Sequence, residues 1–304
     1  MIKDKFWRAD FKRITPIAKG YSDSDKYLVE LSNGEKMLLR TRSASHYETQ
    51  KMIFEKLIEM DKLSIICPKP IEFGILEGDR EVYMLLSWIE GEDGRSALGK
   101  LSNTKQYELG YKAGQMLRKI HSLTLTSELN NEHTFRYKQT IQKRIESYQN
   151  CGVHFDNAEK VINYLRNNLS LLDTASLCIR HGDYHIGNII VTGDNEVGII
   201  DFDSLGYGYT WEDFDGILWC LEVSKYFATG RIDGYFNNDI PENFFPLLAL
   251  FLSRAVISSI PWAQKFNDEE VSIALDNAKI LLDSYDDMTN VIPKWYLGAN
   301  WKSD

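Results

Sequence analysis

Short apolar runs broken by polar turns fill the first ninety residues, and apolar residues at helical spacing fill most of the rest. "FKRITPIAKG" (11–20), "KYLVELS" (26–32) and "KMLLRTR" (36–42) read as three β-strands, with the Asn33-Gly34 pair marking a tight hairpin turn between the last two. In "HYETQKMIFEKLIEM" (46–60), Tyr47, Ile53, Phe54, Leu57 and Ile58 recur at helical spacing, and Pro68 and Pro70 close the segment. "IEFGILEGDREVYMLLSWI" (71–89) follows as two strands about the turn "EGDR". The order is three strands, one helix, two strands.

After "EGEDG" (90–94) the character changes. Residues 105–121 form an amphipathic helix, and 136–172 hold two more helical stretches around a break at "NCGVHFD". A polar loop at 180–188 leads into "NIIVTGDNEVGIID", a hairpin turning at "TGDN". From Thr210 onward the pattern is mostly helical, with breaks expected at "GYFNNDIPEN" (234–243) and "SSIPWAQ" (258–264). The most apolar run, "FFPLLALFLSRAV" (244–256), is interrupted by Pro246 and Arg254, is too short to span a bilayer, and reads as a buried helix. The fold class is α+β, with a sheet domain at 1–90, a larger helical domain at 91–304 and a linker near 89–95.

Charge narrows the partners. The formal net charge is -9, so a nucleic-acid backbone, which calls for a basic excess, is not the expected partner, and a small cationic molecule suits the acidic balance better. The four cysteines lie far apart without a CxxC spacing, which points to neither a disulfide framework nor a structural zinc site. The N-terminus lacks the apolar core of a signal peptide, so a cytoplasmic monomer with no membrane partner is the expectation.

The densest chemistry lies in "RHGDYHIGNIIV" (180–191), followed by "IIDFD" at 199–203. Three readings compete: a metal-hydrolase cluster, a phosphoryl-transfer loop, and a polar turn with no site. His181, Asp183 and His185 alternate as zinc ligands on a strand would, but the glycine after His181 argues against a regular strand, and the other histidines are scattered. Phosphoryl transfer needs a cation on the phosphates, a base, and Mg²⁺ ligands. Asp183 can accept a proton from an attacking hydroxyl, while Asn188 and Asp201, at the two ends of the hairpin, offer the hard oxygens that Mg²⁺ takes. Asp203 is a further ligand, an orienter or an acceptor contact. His181 reads as a buttress for Asp183, and His185 divides evenly between loop packing and a site role. Upstream, Gly20, Ser22 and Ser24 either let backbone N–H groups approach a phosphate or form a plain hairpin turn. Arg40 at the end of the third strand with Glu48 on the following helix is either a phosphate cation with the acid that holds it or an ordinary exposed pair.

Together these residues resemble the aminoglycoside phosphotransferase family, small-molecule kinases of the protein-kinase-like fold. "HGDYHIGN" is similar to that family's catalytic loop, "IIDFD" to its metal segment, and the resemblance covers residues 10–280. It implies a two-lobed fold, a small antiparallel sheet lobe with one helix and a larger helical lobe. It further implies Asp183 as the catalytic base, Asn188 and Asp201 as Mg²⁺ ligands, and Arg40 with Glu48 as the strand-three cation and helix acid. "LLSWIEGE" resembles the hinge, which implies adenine hydrogen bonds to the backbone at Ser87 and Ile89 of an ATP or GTP donor. Two departures stand out: Arg40 replaces the usual Lys, and the phosphate loop has only Gly20.

The resemblance does not name the acceptor. An aminoglycoside is the first expectation, because Glu212, Asp215 and Glu222, with Asp203, follow the metal segment closely and suit ammonium groups. A kinase of a macrolide, choline, homoserine or methylthioribose is the alternative, and a non-catalytic nucleotide-binding module the third.

Overall fold

A computed structural model describes residues 6–17, 24–76, 78, 80–124, 131–298 and 301. The chain divides into two compact units, one of residues 1–93 with 189–205 and one of residues 94–188 with 206–304. The hairpin after the polar loop, expected with the second region, thus packs with the first.

The first unit is built on an antiparallel sheet of β1 (Phe11–Pro16), β2 (Asp25–Leu31), β3 (Lys36–Ser43), β4 (Pro70–Ile75) and β5 (Glu81–Ser87), in the spatial order β1-β2-β3-β5-β4. Helix α1 (Tyr47–Lys62) connects β3 to β4. Gly34 takes the turn between β2 and β3 at φ +92°, a conformation that costs glycine nothing. Side-chain alternation then separates two faces. One packs Val29, Leu31, Leu39 and Leu85 with Phe11, Ile14 and Leu76 into an apolar core. The opposite face carries Lys26 beside Arg40 and Leu28 beside Leu38, because the register pairs those residues across β2 and β3. Helix α1 buries Ile53, Leu57 and Met60, while Ile58, expected on its apolar face, is exposed. The hairpin pairs Ile189 with Ile199, gains Glu92–Asp93 as an edge strand, and is tied on by the Ile199 N–H to the Ile66 carbonyl at 2.8 Å.

In the second unit, the helices Asn103–His121 and Lys225–Phe236 meet backbone to backbone. Gly110 and Gly114 on the first face Gly230 and Gly234 on the second. A Cβ on Gly114 would lie 2.1 Å from the Arg231 carbonyl oxygen, and one on Gly230 would lie 2.2 Å from that of Tyr107. Tyr107 Oη donates to Asp233 Oδ2 at 2.7 Å across the same seam. No larger residue fits at these four positions without parting the helices.

The central helix runs from Phe244 to Ala263. It is long and apolar enough to cross a membrane by length and composition, and most of it is buried within the unit. The break expected at 258–264 does not occur until after Ala263. Pro261 sits in the last turn, where one backbone bond is lost, and burial of Ile257, Ile260 and Ala263 holds the helix together. Arg254, the interruption in the apolar run, faces inward. It donates to Asp215 Oδ2 at 2.5 Å and lies 3.1 Å from Glu212 Oε1, which also accepts from Tyr137 Oη at 2.7 Å.

Two expectations follow. In an ordinary helix Gly→Ala gains roughly 1 kcal/mol, but Gly114→Ala should lower the thermal midpoint, since its methyl group meets backbone; an unchanged or raised midpoint in a calorimetric scan would refute the close seam. Arg254→Met should destabilise by about 3 kcal/mol or more, because it leaves Asp215 without its cation and Glu212 with Arg180 alone. In a denaturant titration, the double change Arg254→Met with Glu212→Gln should recover part of that loss.

Candidate active site

The strand Leu177–Arg180, paired with Gly206–Tyr209, delivers the chain into the loop that begins at His181. Gly182 sits at φ +82°, which turns two successive amides toward one acceptor. The N–H groups of His181 and Gly182 donate to the two carboxylate oxygens of Asp213, each at 2.7 Å. His121 Nε2 lies 3.0 Å from the same carboxylate. Burial alone would raise the Asp213 pKa; the His121 hydrogen bond and the nearby charges of His121, Arg180 and His181 overcome it and hold the group well below the usual carboxylate range. Tyr184, next along, anchors the loop by donating to the Ala113 carbonyl at 2.7 Å.

Asp183 itself is only partly covered, its side chain 45% exposed. Asn188 uses both amide hydrogens on it, one to the Asp183 carbonyl and one to Oδ2, each at 2.9 Å. His185 Nδ1 accepts the Gly187 N–H at 3.0 Å, so a neutral ring carries its proton on Nε2, 3.4 Å from Asp183 Oδ1. Its ring lies 5.0 Å from that of Trp219. Burial works to raise the Asp183 pKa, but hydrogen bonds from His185 and Asn188 and the nearby imidazoles bring it below the ordinary value. The carboxylate is therefore ionised at neutral pH, oriented, and open on one side. His181 is fully buried and accepts the Asp183 N–H on Nδ1 at 3.2 Å, which makes it the expected buttress. His181 and His185 thus each serve the loop's own backbone rather than sharing the face that a zinc site would use.

In the first unit, Asp201 follows the strand Val197–Ile199 at φ +64°, in the left-handed region that non-glycine residues rarely adopt. Lys26 Nζ pairs with its Oδ2 at 2.7 Å. Asp201 Oδ1 is buried without a hydrogen bond and lies 3.6 Å from Arg40 Nη2. Arg40, 4% exposed, forms an ion pair with Asp203 and donates to Ser24 Oγ at 2.9 Å, while Ser24 Oγ donates to Asp203 Oδ2 at 3.0 Å. Asn188 Oδ1, with the Asn188 amide hydrogens engaged, makes no hydrogen bond among the described residues. Asn188 and Asp201 each keep a hard oxygen in reserve, the donor type a divalent cation requires.

Several sequence expectations need correction. Glu48 is exposed and forms no ion pair with Arg40 among the described residues; the acid that holds Arg40 is Asp203, which is thereby engaged away from an acceptor. Ser87 donates its N–H to the Lys69 carbonyl at 2.9 Å, while the Ile89 backbone makes no hydrogen bond among the described residues. Glu212, 3% exposed, is matched by Arg254, Arg180 and Tyr137. Asp215 is bound by Arg254, and Glu222 pairs with Arg95 at 2.8 Å. Burial pushes Asp215 up to about 6 against the pull of Arg254, with Glu212 adding to the rise. Gly20 and Ser22 lie outside the described residues. Sequence reasoning missed Lys26 and left His185 undecided; the position of Lys26 opposite Arg40 in the β2–β3 hairpin carried the signal.

Residues 13–243 match the phosphotransferase enzyme family, APH. No curated protein sequence matches the chain. Among solved structures, an amicoumacin kinase in complex with AMP-PNP, Ca²⁺ and its antibiotic is similar, with a TM-score of 0.64 at 14% identity over 93% of this chain and 90% of that one. A gentamicin complex of APH(2")-IIa gives a TM-score of 0.59 at 20% identity, covering 92% and 94%. A thermostable mutant of APH(4)-Ia with ADP and hygromycin B gives 0.61 at 14%, covering 90% and 94%. These likenesses establish the protein-kinase-like fold, and with the matched residues spanning most of its length, the chain belongs to the phosphotransferase enzyme family.

Proposed function

We propose that this phosphotransferase moves the terminal phosphoryl group of ATP or GTP onto a hydroxyl of a small molecule. The observation that carries the reading is Asp183, an ionised carboxylate held by Asn188 and His185 and open on one side. As the new oxygen–phosphorus bond forms, the acceptor hydroxyl passes its proton to Asp183 and the nucleoside diphosphate departs. A carboxylate with a lowered pKa is a weak base, so its main contribution is to align the hydroxyl and take the proton late. For a divalent cation, Mg²⁺ from the hardness of the donors, Asn188 and Asp201 each offer a ligand oxygen, and such a cation would neutralise phosphate charge. Similar solved proteins bound to AMP-PNP or ADP support a nucleotide donor.

For the acceptor, an aminoglycoside is the first reading, supported by the similar structures bound to gentamicin and hygromycin B. A second reading, a hydroxylated molecule without several ammonium groups, such as a macrolide, choline, homoserine or methylthioribose, is favoured by one observation. Glu212, Asp215 and Glu222 all have arginine partners, so none offers an uncompensated charge to a polyamine.

Asp183→Ala should lower kcat by about 10²- to 10⁴-fold with nucleotide affinity unchanged; turnover near wild type would remove Asp183 from the role of base. The acceptor is decided by nucleoside diphosphate release with ATP and GTP separately against kanamycin, gentamicin, streptomycin, a macrolide, choline and homoserine. Stimulation by an aminoglycoside alone supports the first reading, and stimulation by a neutral or singly charged acceptor alone replaces it with the second.

A further inference from the structure

We propose that Lys26 on β2, rather than Arg40 on β3, is the cation that grips the phosphates of the donor nucleotide, and that Arg40 holds the aspartate segment in place. The inference rests on the kinase reading above and assigns a residue within it. Lys26 and Arg40 are direct cross-strand partners, so both project from the face of the sheet opposite its apolar core. On that face they follow the pair Leu28 and Leu38, with Leu86 continuing the row from β5. A flat apolar patch ending in two cations suits a base followed by its phosphates.

The two cations differ in what already occupies them. The Arg40 side chain is 5% exposed, and its Nη2 serves both Asp203 and Ser24, whose hydroxyl bridges back to Asp203. This closed triangle fixes Phe202–Ser204, the turn that follows Asp201, against the sheet. Reaching for a phosphate would strip Asp203 of its counter-charge in a buried setting. Lys26 is in a different position. Its side chain is 12% exposed, its ammonium carries three donors, and its partner among the described residues is Asp201 Oδ2 at 2.7 Å. Asp201 is the proposed metal ligand; with its carboxylate given to a divalent cation, the Lys26 ammonium would be left to pair with phosphate oxygens.

Charge arithmetic points the same way. Lys26 and Arg40 balance Asp201 and Asp203, two positive against two negative, so the face is neutral without its ligands. A divalent cation would bring it to a net charge of two positive, complementary to a triphosphate. Lysine is also the side chain whose flexible stem allows such an exchange of partners, whereas the planar fork of arginine suits a fixed anchor.

The test uses the full chain and two readouts besides turnover. First, an ATP acyl phosphate, whose acyl carbonyl is attacked by a nearby lysine amine with release of ATP, should acylate Lys26 in the wild-type protein, and excess ATP should protect it. Peptide mass spectrometry reads the site, and arginine does not react in this way. Second, calorimetric titration should show Lys26→Met binding ATP about 10- to 100-fold more weakly while binding adenosine as the wild type does, with Lys26→Arg recovering part of the loss. Arg40→Met should instead lower the thermal midpoint. If wild type binds ATP but Lys26 stays unlabelled, or if folded Lys26→Met binds ATP as tightly as wild type, the inference is overturned and the kinase reading stands. If wild type binds neither ATP nor GTP, the kinase reading itself fails and the assignment falls with it.

Discussion

The second unit is organised around a carboxylate that water does not reach. Asp213 is 1% exposed, and a bare anion in that position would be prohibitive. It is stable because donors from separate parts of the chain converge on it: two loop amides from His181 and Gly182, and the imidazole of His121 at the end of the helix Asn103–His121. The Asp213 carbonyl in turn accepts from Arg231, which is itself fully buried and lies over the rings of Tyr184 and Phe214. If one donor is displaced, the desolvation penalty returns, so the positions of loop and helices depend on one another. The glycine seam supplies the other half of this constraint. It brings the helix bearing Arg231 within backbone contact of the helix bearing Ala113 and His121, and Tyr184 donates across to Ala113. Asp183 therefore projects from a loop fixed on both sides of it, and this is how a short polar segment can hold a reactive carboxylate in one orientation.

The first unit applies the same electrostatics with one deliberate gap. Asp203 is closed off by Arg40 and Ser24, whereas Asp201 has one oxygen on Lys26 and one buried oxygen without a hydrogen bond. A buried carboxylate oxygen lacking a donor is unfavourable by itself. It sits on a residue already in a left-handed backbone conformation, and the two features together support the proposed role of Asp201 as a metal ligand.

Much of this was legible in the chain. The strand–helix order of the first unit follows from alternation and turn residues, because each strand packs one face on a core and each turn needs the φ that Gly or Asn provides. The polar loop was legible because its contacts are local: Asp183 and Asn188 lie five residues apart and meet directly. What could not be read were pairings across long separations. Arg40 finds Asp203 rather than Glu48, and Arg254 finds Glu212 and Asp215, through tertiary packing with no sequence spacing to betray it. Lys26 shows how fine the margin is. A two-residue Asn-Gly turn would set Tyr27 opposite Arg40, whereas the observed loop, closed by the Leu31 N–H to the Glu35 carbonyl, adds one residue and sets Lys26 there. The longer loop puts Val29 and Leu39 on the same face, where both enter the apolar core.

The carboxylates also show why acidity along a sequence is a poor guide to what a site will bind. Near the metal segment the chain is rich in acids, which by itself suggests a welcome for ammonium groups. In the folded units Glu212, Asp215, Glu222 and Asp203 each face an arginine, and their charges are consumed in holding helices and turns together. Asp183 differs from them in kind. Its partners among the described residues are an amide and an imidazole, donors that orient it and lower its pKa without a permanent opposing charge. Glu212, Asp215, Glu222 and Asp203 are matched by arginines, while Asp183 is held by neutral donors and left partly open, its side chain 45% exposed. Asp213 is held by amides and an imidazole as well, but at 1% exposure it is closed to any ligand, so partner type and exposure together set Asp183 apart from the acids that build the fold around it.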